Sequence, residues 1–168
     1  VLITPDRGLT GGLNSNMNRA AGQFMAPYDS RGSVIAVGKK GRDFMVRYGQ
    51  NVRAVFIDLG DRPALTDVTP IARLVIEAYQ NEEVAVVHLA YARFVSTTVQ
   101  RPVVEQLLPV VPAALEARDA VGYIYEPDPM GVLSELLPRY VETQIYHAML
   151  ENIASEQSAR MGAMRNAT

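Results

Sequence analysis

The chain has 168 residues, of which 48% are hydrophobic and 20% charged, so it can bury a core and belongs to the ordinary globular class. Its formal net charge is −2 and no Lys or Arg run forms a phosphate-binding stripe, which argues against nucleic acid as a partner. The absence of cysteine excludes disulfides and thiolate chemistry, and apolar runs such as 84–87 are far shorter than the roughly 20 residues that cross a bilayer.

The first elements are a predicted strand, loop and helix. Residues 1–3 are apolar and together with Thr4 predict a short buried strand, and the turn-rich segment 5–12 predicts a loop. Asn14 or Ser15 then provides a helix N-cap. The helix itself is indicated by apolar residues at helical spacing: Met17, Ala20, Ala21, Phe24 and Met25.

Two β-branched runs, 33–37 and 52–59, predict the next strands, and residues 43–48 between them are compatible with a further one. Thr66 or Asp67 is the predicted N-cap of a second helix that ends near Asn81.

The middle of the chain is rich in extended segments. The continuous apolar run 84–90 predicts a central strand covered on both faces. Extended segments at 94–99 and 103–111 follow, and the prolines at 102, 109 and 112 favour an edge position or an irregular path for the latter. A last strand is predicted at 121–125. The alternation of strands and helices predicts an α/β, Rossmann-like sandwich with a mostly parallel or mixed sheet flanked by helices.

The C-terminal segment is predicted to be helical. Asp128 followed by Pro129 is a helix start, and Pro138 is expected to begin a second, longer helix. An apolar stripe repeats every four residues: Leu137, Val141, Ile145, Met149 and Ile153. Beyond it the side chains have little apolar area, so we expect the first half of the helix to dock and the second to protrude. We therefore divide the chain into an α/β globular domain, 1–128, and a helical segment, 129–168.

Both ends look interrupted, because the chain starts inside a strand and stops inside a helical pattern. We expect a piece of a longer protein.

Candidate chemical sites are weak. The glycine loop, residues 8–12, follows a strand and precedes a helix, yet its spacing matches neither dinucleotide nor P-loop motifs. A turn that presents backbone to a protein partner is therefore favoured over a nucleotide site. His88 and His147 lack nearby ligand-type residues, so packing is favoured over metal binding. No G-x-S-x-G nucleophile motif occurs, and no cofactor is expected.

Several motifs nevertheless form a recognisable set. They are Ile3–Asn14 (ITPDRGLTGGLN), Tyr125–Pro129 (YEPDP), and Leu137–Tyr146 (LPRYVETQIY), which continues into Ala154–Met161 (ASEQSARM). In this order they resemble the gamma subunits of rotary ATP synthases, in which the first opens the globular domain and the last begins the C-terminal shaft helix. The sequence departs from these gamma subunits at two positions. Thr10 stands where Cys or Ala is common in them, and Gly162 stands where a better helix former is usual. The missing regulatory dithiol insertion favours a bacterial enzyme.

The resemblance implies a non-catalytic central-stalk rotor subunit that transmits torque between the membrane rotor ring and the catalytic hexamer of a proton-translocating ATP synthase. The implied partners are the alpha/beta hexamer, the epsilon subunit and the ring, and the implied location is the cytoplasmic face of the bacterial plasma membrane, as a peripheral protein. The isolated chain could also self-associate through its exposed helix. A rival hypothesis, based on the glycine loop, is a small nucleotide-dependent enzyme with a Rossmann-like fold.

Partner-binding residues follow from the same resemblance. The glycine loop is expected near the catalytic subunits, and the turn 123–128 is expected to face the ring. Glu156 and Arg160, one helical turn apart, are expected to form a solvated pair in the isolated chain and to reach catalytic-subunit loops in the complex. The complete predicted set is Gly8, Leu9, Thr10, Gly11, Tyr123, Tyr125, Glu126, Asp128, Glu156 and Arg160.

Overall fold

The computed structural model describes residues 1–111 and 129–167, without the side chains of residues 29, 30 and 129–135. The strands in this part of the chain are β1 (Leu2–Ile3), β2 (Ser33–Val37), β3 (Asn51–Phe56), β4 (Val87–Phe94) and β5 (Gln100–Leu108). The α-helices are α1 (Leu13–Met25), α2 (Lys39–Arg47), α3 (Leu65–Gln80) and α4 (Pro129–Ala167), and a 3₁₀ helix, Ala26–Arg31, follows α1.

The described strands form one sheet in the order β3-β2-β1-β4-β5. β3, β2, β1 and β4 are parallel, and β5 runs antiparallel to β4. The chain winds outward from β1 to β3 and then returns to β4, as in doubly wound α/β folds. The predicted mixed-sheet sandwich with a long C-terminal helix is confirmed.

Strand alternation divides the interior into two cores, because successive side chains of a strand point to opposite faces. In β2, Val34 and Ala36 belong to the core that also contains α1 and Met45 of α2. Ile35 and Val37 belong to the core that contains residues of α3 and α4. The sheet is therefore covered on both faces. This agrees with the prediction of a central strand that is buried on both sides.

The expected strand at 43–48 is wrong. Residues 39–47 form α2, which connects the parallel strands β2 and β3. Parallel strands that follow one another need a crossover connection, because the chain must return to the end of the sheet where the first strand began. A strand at 43–48 would not have provided this connection, whereas α2 does. Met45 is the apolar anchor of this helix, and Gly41 lies so close to Thr4 that a larger side chain would clash with it.

Two helix starts differ from the predicted caps. α1 begins at Leu13 after Gly12, and the Asn14 side chain turns back to donate to the Thr10 hydroxyl and the Arg7 carbonyl. α3 begins at Leu65, where Asp67 acts from inside the first turn by accepting the Ala64 N–H at 2.7 Å. The predicted end of α3 near Asn81 is confirmed.

The strand boundaries in the middle of the chain are shifted. β3 stops at Phe56, and β4 runs over 87–94 where the apolar run suggested 84–90. β4 is joined by the tight turn 95–99 to β5, which is the expected edge strand but starts at Gln100. The predicted strand 121–125 lies outside the described residues.

α4 is one helix from Pro129 to Ala167, with Pro138 inside it, so Pro138 does not begin a second helix. Val141, Ile145 and Met149 of the predicted stripe are buried, as expected. The docked face, however, does not end at Ile153. It continues through Ser155 and Glu156, both of which are buried, because polar side chains take over the contact with the sheet.

Candidate partner-binding surface

The carboxyl ends of β1, β2 and β3 lie at one edge of the sheet, so the loops that follow these strands cluster there. A cavity of about 320 Å³ opens among them, and residues of α4 from Met149 to Glu156 form its other wall. The predicted glycine loop belongs to this cluster, because it continues the connection from β1 to α1. Of the predicted site residues, Glu156 lines this cavity, and the glycine loop follows directly after the lining residues Pro5, Asp6 and Arg7.

Asp6 ties the three loops to one another. Its Oδ1 accepts the backbone N–H of Lys39 at 2.9 Å, and its Oδ2 accepts the N–H of Asp58 at 2.9 Å. The Lys39 ammonium in turn lies 2.6 Å from the Asp58 carboxylate. The Asp6 carboxylate thus satisfies the first N–H of α2, where the helix dipole favours a negative charge.

The glycine loop presents one apolar side chain to solvent. Leu9 is 79% exposed and has a φ of 61°, a left-handed conformation that is uncommon for a residue with a branched side chain. Thr10, by contrast, is buried, and its hydroxyl accepts from Asn14 Nδ2 at 3.1 Å while its carbonyl accepts the Leu13 N–H. Thr10 therefore holds the loop to α1, and Leu9 is the side chain available to a partner.

Glu156 and Arg160 form a largely buried ion pair, contrary to the expected solvated one. Their side chains are only 9% and 17% exposed, and Arg160 also donates to Gln157 Oε1 at 3.2 Å. The Glu156 carboxylate borders the cavity at the carboxyl ends of the strands. The pair was predicted to be solvated because helical spacing shows only that the two residues are one turn apart. It does not show that the sheet lies against this side of α4.

The side chains that join α4 to β4 were not among the predicted site residues. Ser155 Oγ donates to the Ala92 carbonyl at 2.9 Å, Asn152 Oδ1 accepts the Ala92 N–H at 3.4 Å, and Glu151 accepts the Phe94 N–H at 3.0 Å. A signal did exist in the spacing. Positions 145, 149, 152 and 156 continue the three- and four-residue repeat of one helix face, although the last two are polar.

This arrangement disfavours the rival nucleotide-binding hypothesis. Doubly wound sheets bind ligands beyond the carboxyl ends of the strands, where the strand order reverses. Here that point lies between β1 and β4, and α4 is bonded to β4 at that position. The N-terminus of α2, a second place for a phosphate, already receives the Asp6 carboxylate.

The two histidines differ in their surroundings. His88 is partly buried against the Phe24 ring, 4.7 Å between centroids, and burial lowers its pKa. His147 is exposed, with Nδ1 3.8 Å from Glu151. Within residues 1–111 and 129–167, no cluster of His, Asp and Glu could hold a metal ion, and no helix there is long and apolar enough to cross a membrane.

Two groups of predicted site residues remain, one in the turn 123–128 and one in the glycine loop. Tyr123, Tyr125, Glu126 and Asp128 lie outside the described residues. Gly8 and Gly11 lie in the glycine loop, and Gly11 has a φ of 55° that suits glycine.

Comparison with known proteins identifies the family. A family model described as ATP synthase matches residues 1–168. The ATP synthase gamma chain of Dehalococcoides mccartyi (strain ATCC BAA-2266) is 54% identical over 166 residues, which cover 99% of this chain and 58% of that relative. The gamma chain of Herpetosiphon aurantiacus is 51% identical and is covered to 59%. The chain thus spans less than two thirds of these relatives.

Solved structures agree with this assignment at the level of the fold. A chain in the central stalk and c-ring structure of the Tetrahymena thermophila mitochondrial ATP synthase superposes with a TM-score of 0.78 at 24% identity, covering 98% of this chain and 73% of that one. A rotor chain of the Euglena gracilis mitochondrial ATP synthase gives a TM-score of 0.66 at 22% identity, with 98% and 64% covered. The solved structures show the fold alone, whereas the family model shows that this chain belongs to the ATP synthase family, within which the relatives named above are gamma chains.

Proposed function

We propose that this chain is the body and the beginning of the shaft of a central-stalk rotor subunit, which transmits torque between a membrane rotor ring and a catalytic hexamer during ATP synthesis or hydrolysis. The observation that carries the proposal is α4, a single helix of 39 residues that is packed on the sheet along its middle. A helix of this length is about 58 Å long, and its last seven residues, 161–167, are partly or fully exposed beyond the docked part. A densely packed body with a long attached helix suits mechanical transmission.

The subunit would carry out no chemistry itself. Its partners would be the alpha/beta hexamer, the epsilon subunit and the ring, and its location would be peripheral, on the cytoplasmic face of a bacterial plasma membrane. Bacterial relatives named ATP synthase gamma chain support this placement. We also propose the division into a globular domain, 1–128, and a shaft segment, 129–168, which is consistent with the start of α4 at Pro129.

The glycine loop would face the catalytic subunits. Asn152 and Glu156 of α4 border the same cavity as the loops at the carboxyl ends of the strands, so α4 leaves the body at that end. The glycine loop is therefore on the side toward which the shaft points. A strained, exposed Leu9 supports a contact role, because unfavourable backbone conformations persist mainly where surroundings or function maintain them.

The segment 123–128 would face the ring from the opposite end of the body. Support comes from α4, which begins at Pro129, about 40 Å along the helix from Glu156, the residue that borders the cavity at the carboxyl ends of the strands. Charge reversal of Glu126 and Asp128 in the complete enzyme tests this part. We expect weaker ring binding and poorer coupling of ATP hydrolysis to proton pumping, and unchanged coupling would contradict it.

Site-directed crosslinking tests the placement of the glycine loop. The described chain has no cysteine, so Leu9→Cys introduces a new reactive group into this part of the full-length subunit. We expect it to crosslink to a catalytic subunit in the assembled enzyme. Tyr48→Cys is the matched control, since Tyr48 is 65% exposed but follows α2 at the amino ends of the strands. Crosslinks from Leu9→Cys to the ring or to epsilon alone would refute the placement.

A binding measurement tests the rival. ATP and NAD, titrated separately into the chain, should give no saturable thermal shift, because α4 and Asp6 occupy the places that a nucleotide would need. A saturable shift that is lost when Gly11 is replaced would favour the enzyme hypothesis.

A further inference from the structure

The sheet has a gap beside β4. β1 is only two residues long and pairs with β4 at one position, Leu2 with Ala90. Backbone groups of alternate residues in a strand point toward the same neighbour, so those of Ala92 and Phe94 point past the end of β1. Ala92 is fully buried, where a backbone group without a hydrogen-bond partner would be costly.

Side chains of α4 fill this gap. Ser155 and Asn152 bond the carbonyl and the N–H of Ala92, and Glu151 accepts the N–H of Phe94. Ser155 is also fully buried, and Asn152 is nearly so. A helix thus supplies, through side chains, the hydrogen bonds that a longer β1 would supply through its backbone.

The same part of α4 touches both cores. Ile145 and Met149 belong to the core on the α3 face, whereas Ala159 packs against the core on the α1 face. The helix therefore crosses from one face of the sheet toward the other at the gap. Apolar contacts are non-directional, but hydrogen bonds weaken steeply with angle. The bonds to Ala92 therefore oppose rotation and sliding of α4 more specifically than the apolar stripe does.

We infer that Asn152 and Ser155 are positioning residues that fix the angular position of the shaft helix on the body, so that rotation of one is transmitted to the other. This inference rests on the proposed rotor function. The switch point of the sheet, which would hold a ligand in an α/β enzyme, serves here as the joint between body and shaft.

Torsional stiffness is the quantity that tests the joint. The double variant Asn152→Ala/Ser155→Ala is made in the full-length subunit and assembled into the complete enzyme. A bead is attached to the body, and its angular fluctuations are recorded while the catalytic subunits hold the shaft. We expect the angular variance to increase at least twofold while the rate of ATP hydrolysis changes less than twofold. Unchanged variance in assembled enzyme would overturn the inference.

Thr143→Ala is the matched control. Thr143 is an exposed hydroxyl residue of the same helix whose Oγ1 donates to the Arg139 carbonyl, within α4 itself. Its replacement should leave the angular variance at the parent value. An increase equal to that of the double variant would show a general effect of helix substitution and would also overturn the inference.

Two single variants decide the question if the double variant does not assemble. Asn152→Ala and Ser155→Ala each remove one of the two hydrogen bonds to Ala92 and leave the other. We expect each to raise the angular variance above the parent value, by less than the double variant. Variance at the parent value in both single variants would overturn the inference. If the proposed rotor function is wrong, the bead on the body will not rotate with the shaft even in the parent enzyme. This result differs from every outcome that concerns the joint alone.

Discussion

Two consecutive stretches of α4 are buried against the same sheet by different chemistry. The apolar stretch, residues 141–149, packs Val141, Ile145 and Met149 into the core on the α3 face. The polar stretch, residues 152–160, buries Ser155 and Glu156 beside the end of β1, where the hydroxyl and the carboxylate both have partners. Burial of a helix face therefore does not require apolar residues, provided that the buried polar groups are satisfied.

The two stretches should differ in their tolerance of change. Apolar packing depends mainly on volume, so it tolerates substitutions that preserve size. A buried polar network depends on each partner, because removal of one leaves another group unsatisfied in a low-dielectric environment. The comparison predicts that truncation is most damaging in the apolar stretch, and that loss of a single partner is most damaging in the polar stretch.

The largest effect is expected for Ile145→Ala. Ile145 is fully buried between the sheet and α3, so truncation removes apolar contacts and leaves a cavity. We expect the free energy of unfolding to fall by about 2–5 kcal/mol, measured by urea denaturation of the chain.

Leu150→Ala is the control for that experiment, since Leu150 lies on the exposed side of the same helix. Its effect should be within about 0.5 kcal/mol. Equal losses for the two variants would show that the apolar stretch is not docked as described.

The next largest effect is expected for Arg160→Met, which keeps an unbranched apolar stem but removes the guanidinium group that pairs with Glu156. A buried carboxylate without its ion pair should lower the free energy of unfolding by about 1–3 kcal/mol. The double variant Glu156→Gln/Arg160→Met should recover part of this loss, because the unpaired charge is gone. A single variant as stable as the parent would show that the pair is solvated after all.

Much of the fold could be predicted from local pattern. The alternation of elements, the cover on both faces of the sheet and the apolar stretch of α4 follow from periodicities of two and about 3.6 residues. Segment 43–48 was ambiguous because Phe44, Met45, Val46 and Tyr48 favour a strand locally, and the parallel pairing of β2 and β3 overrides that preference.

The candidate site was only partly predictable. Its glycine loop followed from glycines placed between a strand and a helix, and its position at the carboxyl ends of the strands followed from topology. The polar stretch of α4 was not predictable, because Asn152, Ser155 and Glu156 have the composition of a solvated helix face. Their burial depends on the gap left by a two-residue β1, a tertiary feature that no local pattern encodes.

A smaller effect, of opposite sign, is expected for Gly162→Ala, just beyond the polar stretch. A Cβ at this position would meet no atom within 4 Å, and Gly162 has an ordinary helical place in α4. We expect the free energy of unfolding, or the local protection of this turn in hydrogen exchange, to rise by up to about 1 kcal/mol. Destabilisation would mean that the glycine is needed for close contact, and that docking extends further than Ala159.

The smallest effect is expected for Glu83→Gln, which sharpens the contrast between the buried pair of α4 and an exposed one. Glu83 accepts from Arg53 at the surface, and this hydrogen bond lowers the pKa of the Glu83 carboxyl below its usual value. A carboxyl with a lowered pKa in the folded state stabilises the fold above its unfolded pKa, and the contribution is lost as pH falls through the folded value. The parent should therefore be slightly more stable than the variant at pH 7, and the two should converge in acid. Urea denaturation between pH 7 and pH 3 measures this difference, with Glu82→Gln as the control for loss of a neighbouring charge. A difference that persists unchanged at pH 3 would show that the carboxylate is not its source.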